Sequence, residues 1–262
     1  MINGYYDATG GMVAQFNRLN VISNNLANAN TAGFKQDDII IGDYERIFKN
    51  SRDNLPLQNN TYQAAQFINR NLNKVPRVIK EYTNFSLGDM VKTSNPLDLA
   101  LKQKNSFFLI KTPAGLRLTR AGDFSISSKG YLVTKQGFWV LNTKNEPIKI
   151  PANAKNISIN QNAEIYVDGN KIATLNVVSV ENLQSLKKVG DTMWSFQPGA
   201  IATNTKNTTL QGYLEKSNIN VIRQMTALID TNRMVEEYQK VMTTFMDDLN
   251  RDAIEKLASV RA

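Results

Sequence analysis

Three patterns along this sequence place side chains that could do chemistry. The adjacent carboxylates Glu236-Glu237 and Asp247-Asp248 could serve as the acid and base of a glycosidase. Ser185-Leu186-Lys187-Lys188 spells a Ser-x-x-Lys box, in which an amine could activate a serine nucleophile. Four Asn-x-Ser/Thr triplets, at Asn59, Asn84, Asn156 and Asn207, could accept a glycan. Each has a plainer explanation. The carboxylate pairs sit among Lys and Arg on a helical segment, where solvated faces and i,i+4 pairs account for them. The Ser-x-x-Lys box has no Ser-Asp-Asn or Lys-Thr-Gly partner. The triplets fall in an Asn- and Thr-rich chain. Its first residues, Met1 to Asp7, lack the basic and apolar regions of a cleaved signal peptide.

Two absences narrow the chemistry further. The 262 residues contain no His and no Cys, which rules out Ser-His-Asp triads, HExxH zinc sites, thiolate nucleophiles and disulfides. No glycine-rich phosphate cradle is present. The expectation is therefore no catalytic residue, no metal ligand and no cofactor. The net charge of +8 is scattered, and the densest basic stretch, Arg70 to Lys80, holds only four cations. A nucleic-acid surface would need a basic stripe or a known module, so no nucleic-acid partner is expected. No uninterrupted apolar run is long enough to cross a bilayer, so membrane insertion is not expected either. With 42% hydrophobic and 21% charged residues the chain should fold, as one large domain or two modest ones.

The elements follow from periodicity. From about Asn3 to Asn28, Tyr5, Met12, Phe16, Leu19 and Leu26 fall on alternating three- and four-residue steps if Thr9 and Ser23 fill the gaps, which predicts an amphipathic helix. Asn28-Ala29-Asn30-Thr31-Ala32-Gly33 stops it. Residues 36–84 read as an extended, partly irregular connector, with Asn59-Asn60, the Asn69 to Asn73 cluster and Pro76 as loop signals and Ile39-Ile40-Ile41 as a short strand candidate. Residues 85–213 read as β. Phe107-Phe108-Leu109-Ile110 is a buried-strand run, and Gly122, Gly130, Gly137 and the Asp168-Gly169 pair mark turns, the last a two-residue hairpin.

The C-terminal segment, 214–262, carries the longest pattern. Val221, Leu228, Val235, Met242 and Leu249 recur every seven residues, and Tyr238 and Phe245 fill the second seam position. No Gly or Pro interrupts it, and Ser217 or Asn218 could cap its start. A two-seam heptad of this length is a coiled-coil pattern. The fold class is thus α+β: terminal helices (1–35 and 214–262) forming a coiled-coil-like assembly domain, and a β-rich antiparallel central domain. Helix seams of this kind either pack on each other within one chain or also meet copies of themselves, and a head-to-tail contact that does not close builds a filament.

One long motif, Ser23-Asn24-Asn25-Leu26-Ala27-Asn28-Ala29-Asn30-Thr31-Ala32-Gly33-Phe34-Lys35, resembles the N-terminal signature of bacterial flagellar axial proteins, the rod and hook subunits. Thr93 to Leu101 followed by Phe107-Phe108, then Leu118 to Phe124, Gly130 to Thr134, and Gly212 to Asn220 with Met225-Thr226 and Ile229 are similar to later segments of that family. Two departures stand out: Lys102 to Ser106 replaces the family's glycines before the paired Phe, and Ala29 replaces a Val.

The resemblance implies a basal-body rod subunit, exported through the flagellar type III apparatus without a cleaved signal and partnered by copies of itself and by other rod and hook subunits. Its terminal helices would order on assembly. The connector composition, Met225-Thr226 and the charged tail from Asp252 to Lys256 lean to the proximal FlgF type over the distal FlgG type. The expected assembly interface is Met12, Phe16, Leu19 and Leu26 on the first helix, with Val221, Leu228, Val235, Tyr238, Met242, Phe245 and Leu249 on the last. Two readings of other classes compete: a soluble binding module dimerised by its helices, and a carboxylate hydrolase.

Overall fold

The computed structural model describes residues 2–43, 76–197, 199–203, 206 and 208–259. The chain forms two compact units, one of residues 1–26, 37–82 and 221–262 and the other of residues 27–36 and 83–220.

The first unit holds the helices. Helix α1 runs Ile2–Ala27 and α2 runs Val221–Ser259. Between them in sequence, β1 (Asp37–Asp43) pairs with β2 (Pro76–Thr83) in a two-stranded sheet. The expected connector is therefore strand at both ends. Pro76 opens β2, a first-strand position where its missing N–H costs nothing. Residues 44–75, with the Asn59-Asn60 and Asn69 to Asn73 clusters, lie outside the described residues. Asn25 ties the end of α1 to β1 through two bonds with the Asp37 backbone: its amide donates to the carbonyl at 2.7 Å, and its oxygen accepts from the N–H at 3.0 Å.

The second unit is a β body. Its strands are β3 (Met90–Lys92), β4 (Leu99–Leu101), β5 (Ser106–Thr112), β6 (Gly115–Thr119), β7 (Ser125–Ile126), β8 (Leu132–Val133) and β9 (Trp139–Val140). These are followed by β10 (Ile157–Ile159), β11 (Glu164–Val167), β12 (Asn170–Thr174), β13 (Val177–Val180), β14 (Lys187–Lys188) and β15 (Met193–Ser195). The last are β16 (Ile201–Thr203), β17 (Thr209–Gln211) and β18 (Tyr213–Glu215). The main sheet runs β14-β15-β6-β5-β9-β8-β7, with β13 pairing both β5 and β16. β10, β11 and β12 form a small sheet of their own, and β17 and β18 return to pair with β4 and β3. Every described pairing in this body is antiparallel.

Strand β5 explains its own composition. Alternate side chains on a strand point to opposite faces. Phe107 and Leu109 enter a cluster with Phe85, Leu118 and Trp194, whereas Phe108 and Ile110 enter another with Phe124, Leu132 and Ile165. A strand covered on both faces must be apolar at every position, which is the run seen from Phe107 to Ile110.

The hairpin at Asp168-Gly169 forms as its sequence suggests. Val167 pairs with Asn170, and the two residues between them have φ of 49° and 85°, the left-handed pair that a type I′ turn demands. Gly122 differs from its expected role. It is a close-approach glycine and not a turn: its carbonyl accepts from Leu99 N–H at 3.0 Å, and a Cβ on it would run into the Leu99 carbonyl.

Candidate functional site

The two helices of the first unit run antiparallel. Phe245 lies against Gly4 and Tyr238 against Gly11, so seven residues forward on α1 match seven residues back on α2. Met242, between them, brings its sulfur to 4.0 Å from the Thr9 hydroxyl. Val235 is buried, while Leu228, Tyr238, Met242, Phe245 and Leu249 are half-buried. Tyr238, Met242 and Phe245 of the α2 seam therefore face α1.

On α1 the residues seen against that seam are Gly4, Thr9 and Gly11, of which the expected stripe includes only Thr9. Ala8, Gly11, Ala14, Ile22 and Asn25 are the buried residues. Met12, Leu19 and Leu26 are half-buried on its flank, and Phe16 is exposed at 40%. Counting large apolar residues misses this face because its key residues are small. Glycine and alanine let the backbones approach, and the aromatic rings of α2 fill the space that their side chains would take. Val221, at the head of the heptad, is 36% exposed. Neither expected cap serves α2, because the helix starts at Val221. Asn218 instead donates its amide to the Asn84 carbonyl at 2.8 Å and accepts from Gln36 N–H at 2.9 Å.

The β body contains a site that the sequence does not announce, built on a buried cluster of three charges. Lys35 Nζ sits 2.5 Å from Glu215 Oε1, and Arg120 reaches Oε2 through Nε at 2.8 Å and Nη2 at 2.7 Å. All three side chains are fully buried. Backbone groups complete the cage. Lys35 also donates to the Ser86 carbonyl at 2.6 Å, and Gly88 N–H donates to Glu215 Oε1 at 3.1 Å. Arg120 donates to the carbonyls of Leu101, Gln103, Lys104 and Ser106. The departure at Lys102 to Ser106 is thus a turn that wraps a guanidinium.

Local geometry delivers each member of this cluster. Glu215 is the last residue of β18, and its carbonyl accepts from Gly33 N–H at 2.8 Å. Gly33 has φ of 69° and passes so close to the Arg120–Ala121 backbone that no side chain fits. That turn drives Phe34 into the body, fully buried, with Lys188 Nζ 3.8 Å from its ring centroid. Burial of the ammonium and the adjacent Arg120 charge push the Lys35 pKa down to about 8, against the opposing pull of Glu215.

The chemical patterns do not converge. The Ser185 hydroxyl donates to the Asn182 carbonyl at 2.7 Å, while Lys188 Nζ donates to the Lys35 carbonyl at 3.2 Å. Glu236, Glu237, Asp247 and Asp248 are exposed on α2. Asn59 and Asn207 lie outside the described residues. Among the described residues no group of three or more His, Cys, Asp or Glu could hold a metal, and no helix is long and apolar enough to cross a membrane.

Three family descriptions match the chain: a flagella basal body rod protein over residues 6–35, a flagellar hook protein FlgE/F/G D1 domain over residues 103–167, and a flagellar basal body rod FlgEFG protein C-terminal segment over residues 210–255. Lys35, Arg120 and Glu215 fall one in each. The chain is 27% identical to the flagellar basal-body rod protein FlgF of Rhizobium meliloti over the full length of both. It is 30% identical to the rod protein FlgG of Buchnera aphidicola subsp. Baizongia pistaciae, across 93% of this chain and 96% of that one. It is 26% identical to the FlgF of Caulobacter vibrioides, across 99% and 100% of the two chains.

Proposed function

The chain belongs to the flagellar basal-body rod protein family of the FlgF and FlgG type, and from that premise we propose how it serves as a structural subunit of the rod. It resides in the flagellar basal body and assembles with other rod and hook subunits. The helices make a coiled-coil-like assembly domain shared with neighbouring subunits, and the resulting helical tube carries torque from motor to hook.

One observation carries this reading. Helix α2 is 39 residues long, yet Val235 is its one fully buried apolar side chain among the described residues. Ile222, Met225 and Ile229 on α2, with Tyr6, Val13 and Phe16 on α1, are exposed. A helix of that length with so little burial gains its stability from partners. The flank stripe Met12, Phe16, Leu19 and Leu26 and the exposed Val221 remain for those partners. Each large apolar side chain buried on assembly contributes about 1.5–3 kcal/mol.

The subunit reaches the rod through the flagellar type III export apparatus, and it has no enzymatic activity. The FlgF-type, proximal position is favoured by the match to an FlgF over the full length of both chains. FlgG relatives of up to 30% identity keep the distal position as the alternative.

The test is the double variant Leu228→Asp with Val235→Asp. Its β body keeps native near-ultraviolet circular dichroism, and cells carrying it build no rod. A normal rod from this variant would refute the seam. Rescue of a strain lacking its FlgF-type protein, but not of one lacking its FlgG-type protein, supports the proximal position. A discrete dimer that ignores concentration and keeps fully protected helix ends would favour a helix-dimerised binding module instead.

A further inference from the structure

The buried cluster has unbalanced charge. Lys35 and Arg120 bring two cations, and among the described residues Glu215 is the one carboxylate bonded to either. The carbonyls of Ser86, Leu101, Gln103, Lys104 and Ser106 solvate the cations but do not neutralise them. The three residues also become available at very different points along the chain: Lys35 early, Arg120 in the middle, and Glu215 after nearly all of the β body.

A body lacking β18 would have to bury two like charges side by side. Each buried ion without a partner costs several kcal/mol, which exceeds what most single packing contacts return. The short strand β18 has little else to offer: Tyr213 and Leu214 are half-buried, and its backbone pairs with only three residues of β3.

We propose that Glu215 is the closing latch of the β body, which stays open until β18 docks and supplies the counter-ion for Lys35 and Arg120. The latch joins three separate segments, because the carboxylate side chain holds Lys35 and Arg120 while its own carbonyl holds Gly33 N–H. Folding of the body is thereby deferred until the chain is complete to residue 215, and a partial product does not settle into a compact form. This holds whatever the finished subunit assembles with, so it goes beyond the rod reading and does not depend on it.

The test uses the full-length chain, refolded from urea and followed by tryptophan fluorescence, since Trp194 is fully buried in the body. Glu215→Gln refolds about tenfold more slowly than the native chain, because the cations lose their counter-ion in the step that limits folding. Lys35→Met slows refolding less, since it leaves an Arg–Glu pair. The triple variant Lys35→Met, Arg120→Met, Glu215→Leu refolds within about twofold of the native rate, because no charge waits for a partner. Two outcomes would overturn the proposal: a Glu215→Gln chain whose refolding rate is unchanged while only unfolding quickens, or a triple variant as slow as Glu215→Gln. If Glu215→Gln does not fold at all, the triple variant decides alone: its folding supports the latch and its failure overturns it.

Discussion

The ring of Tyr238 occupies the space in which a side chain at Gly11 would stand: a Cβ there would lie 2.5 Å from two ring carbons and 2.7 Å from the hydroxyl oxygen. The relationship repeats seven residues away, where a Cβ on Gly4 would lie 2.8 Å from Phe245 Cζ. Aromatic knobs seated on glycines set how closely, and in which register, the helices approach.

Intrinsic propensity and packing therefore oppose each other at Gly11. Glycine is worse than alanine in an isolated helix by about 0.8–1.0 kcal/mol, and leucine ranks next after alanine. Gly11→Leu nonetheless lowers the midpoint of helix melting, followed by circular dichroism at 222 nm. Adding Tyr238→Ala, which returns the space, restores most of the loss. A Gly11→Leu chain that melts higher than the native one would show that the ring is not seated there.

Lys35 makes the stability of the β body depend on alkaline pH. Its folded pKa, about 8, lies below the ordinary 10.5, with Arg120 and Glu215 the charges that face it. Between those values the unfolded chain binds more protons at this residue than the folded chain, so raising the pH through that window favours folding. The native chain should gain urea resistance relative to Lys35→Met between pH 8 and 10.5, and show no such relative gain from pH 6 to 7. A difference that stays flat across both ranges would show that the ammonium is not desolvated.

Phe34 tests the anchoring of the N-terminal signature in the body. It is fully buried, so Phe34→Ala should cost about 3–5 kcal/mol of unfolding free energy. Proteolysis reads the same docking. In the native chain residues 27–36 stay protected together with residues 84–220, and in Phe34→Ala they are released.

The hairpin at Gly169 isolates backbone conformation from packing. Its φ is 85°, and nothing lies within 4 Å of a Cβ built on it. Gly169→Val should therefore cost about 1–2 kcal/mol from left-handed strain alone, measured by urea unfolding. A neutral substitution would mean that the turn relaxes to another type.

The long regularities were legible in the sequence because they repeat. Seven-residue spacing from Val221 to Leu249 marked the last helix, and Asp168-Gly169 marked its turn through backbone chemistry alone. The α1 contact face was not legible, since Gly4, Ala8, Gly11 and Ala14 carry no apolar bulk for a periodicity count to register. Ile39-Ile40-Ile41 pointed to β1, whereas β2 was hidden by Pro76, a loop signal in most contexts that here begins a strand. Lys35, Arg120 and Glu215 each lay in a segment recognisable as familial, but a single sequence carries no sign that residues 180 apart share one buried cage.

The chain crosses between the two units four times, and the residues beside three of those crossings, Gln36, Asn84 and Asn218, are bonded in a ring. Gln36 N–H donates to the Asn218 side chain, the Asn218 amide donates to the Asn84 carbonyl, and Asn84 N–H donates to the Gln36 carbonyl at 2.8 Å. A pull travelling along the backbone from β1, from β2 or from α2 thus arrives at one knot. Such a load is shared among three strands of chain at that point and bypasses the sheet, whose hydrogen bonds would otherwise open one by one like a zip.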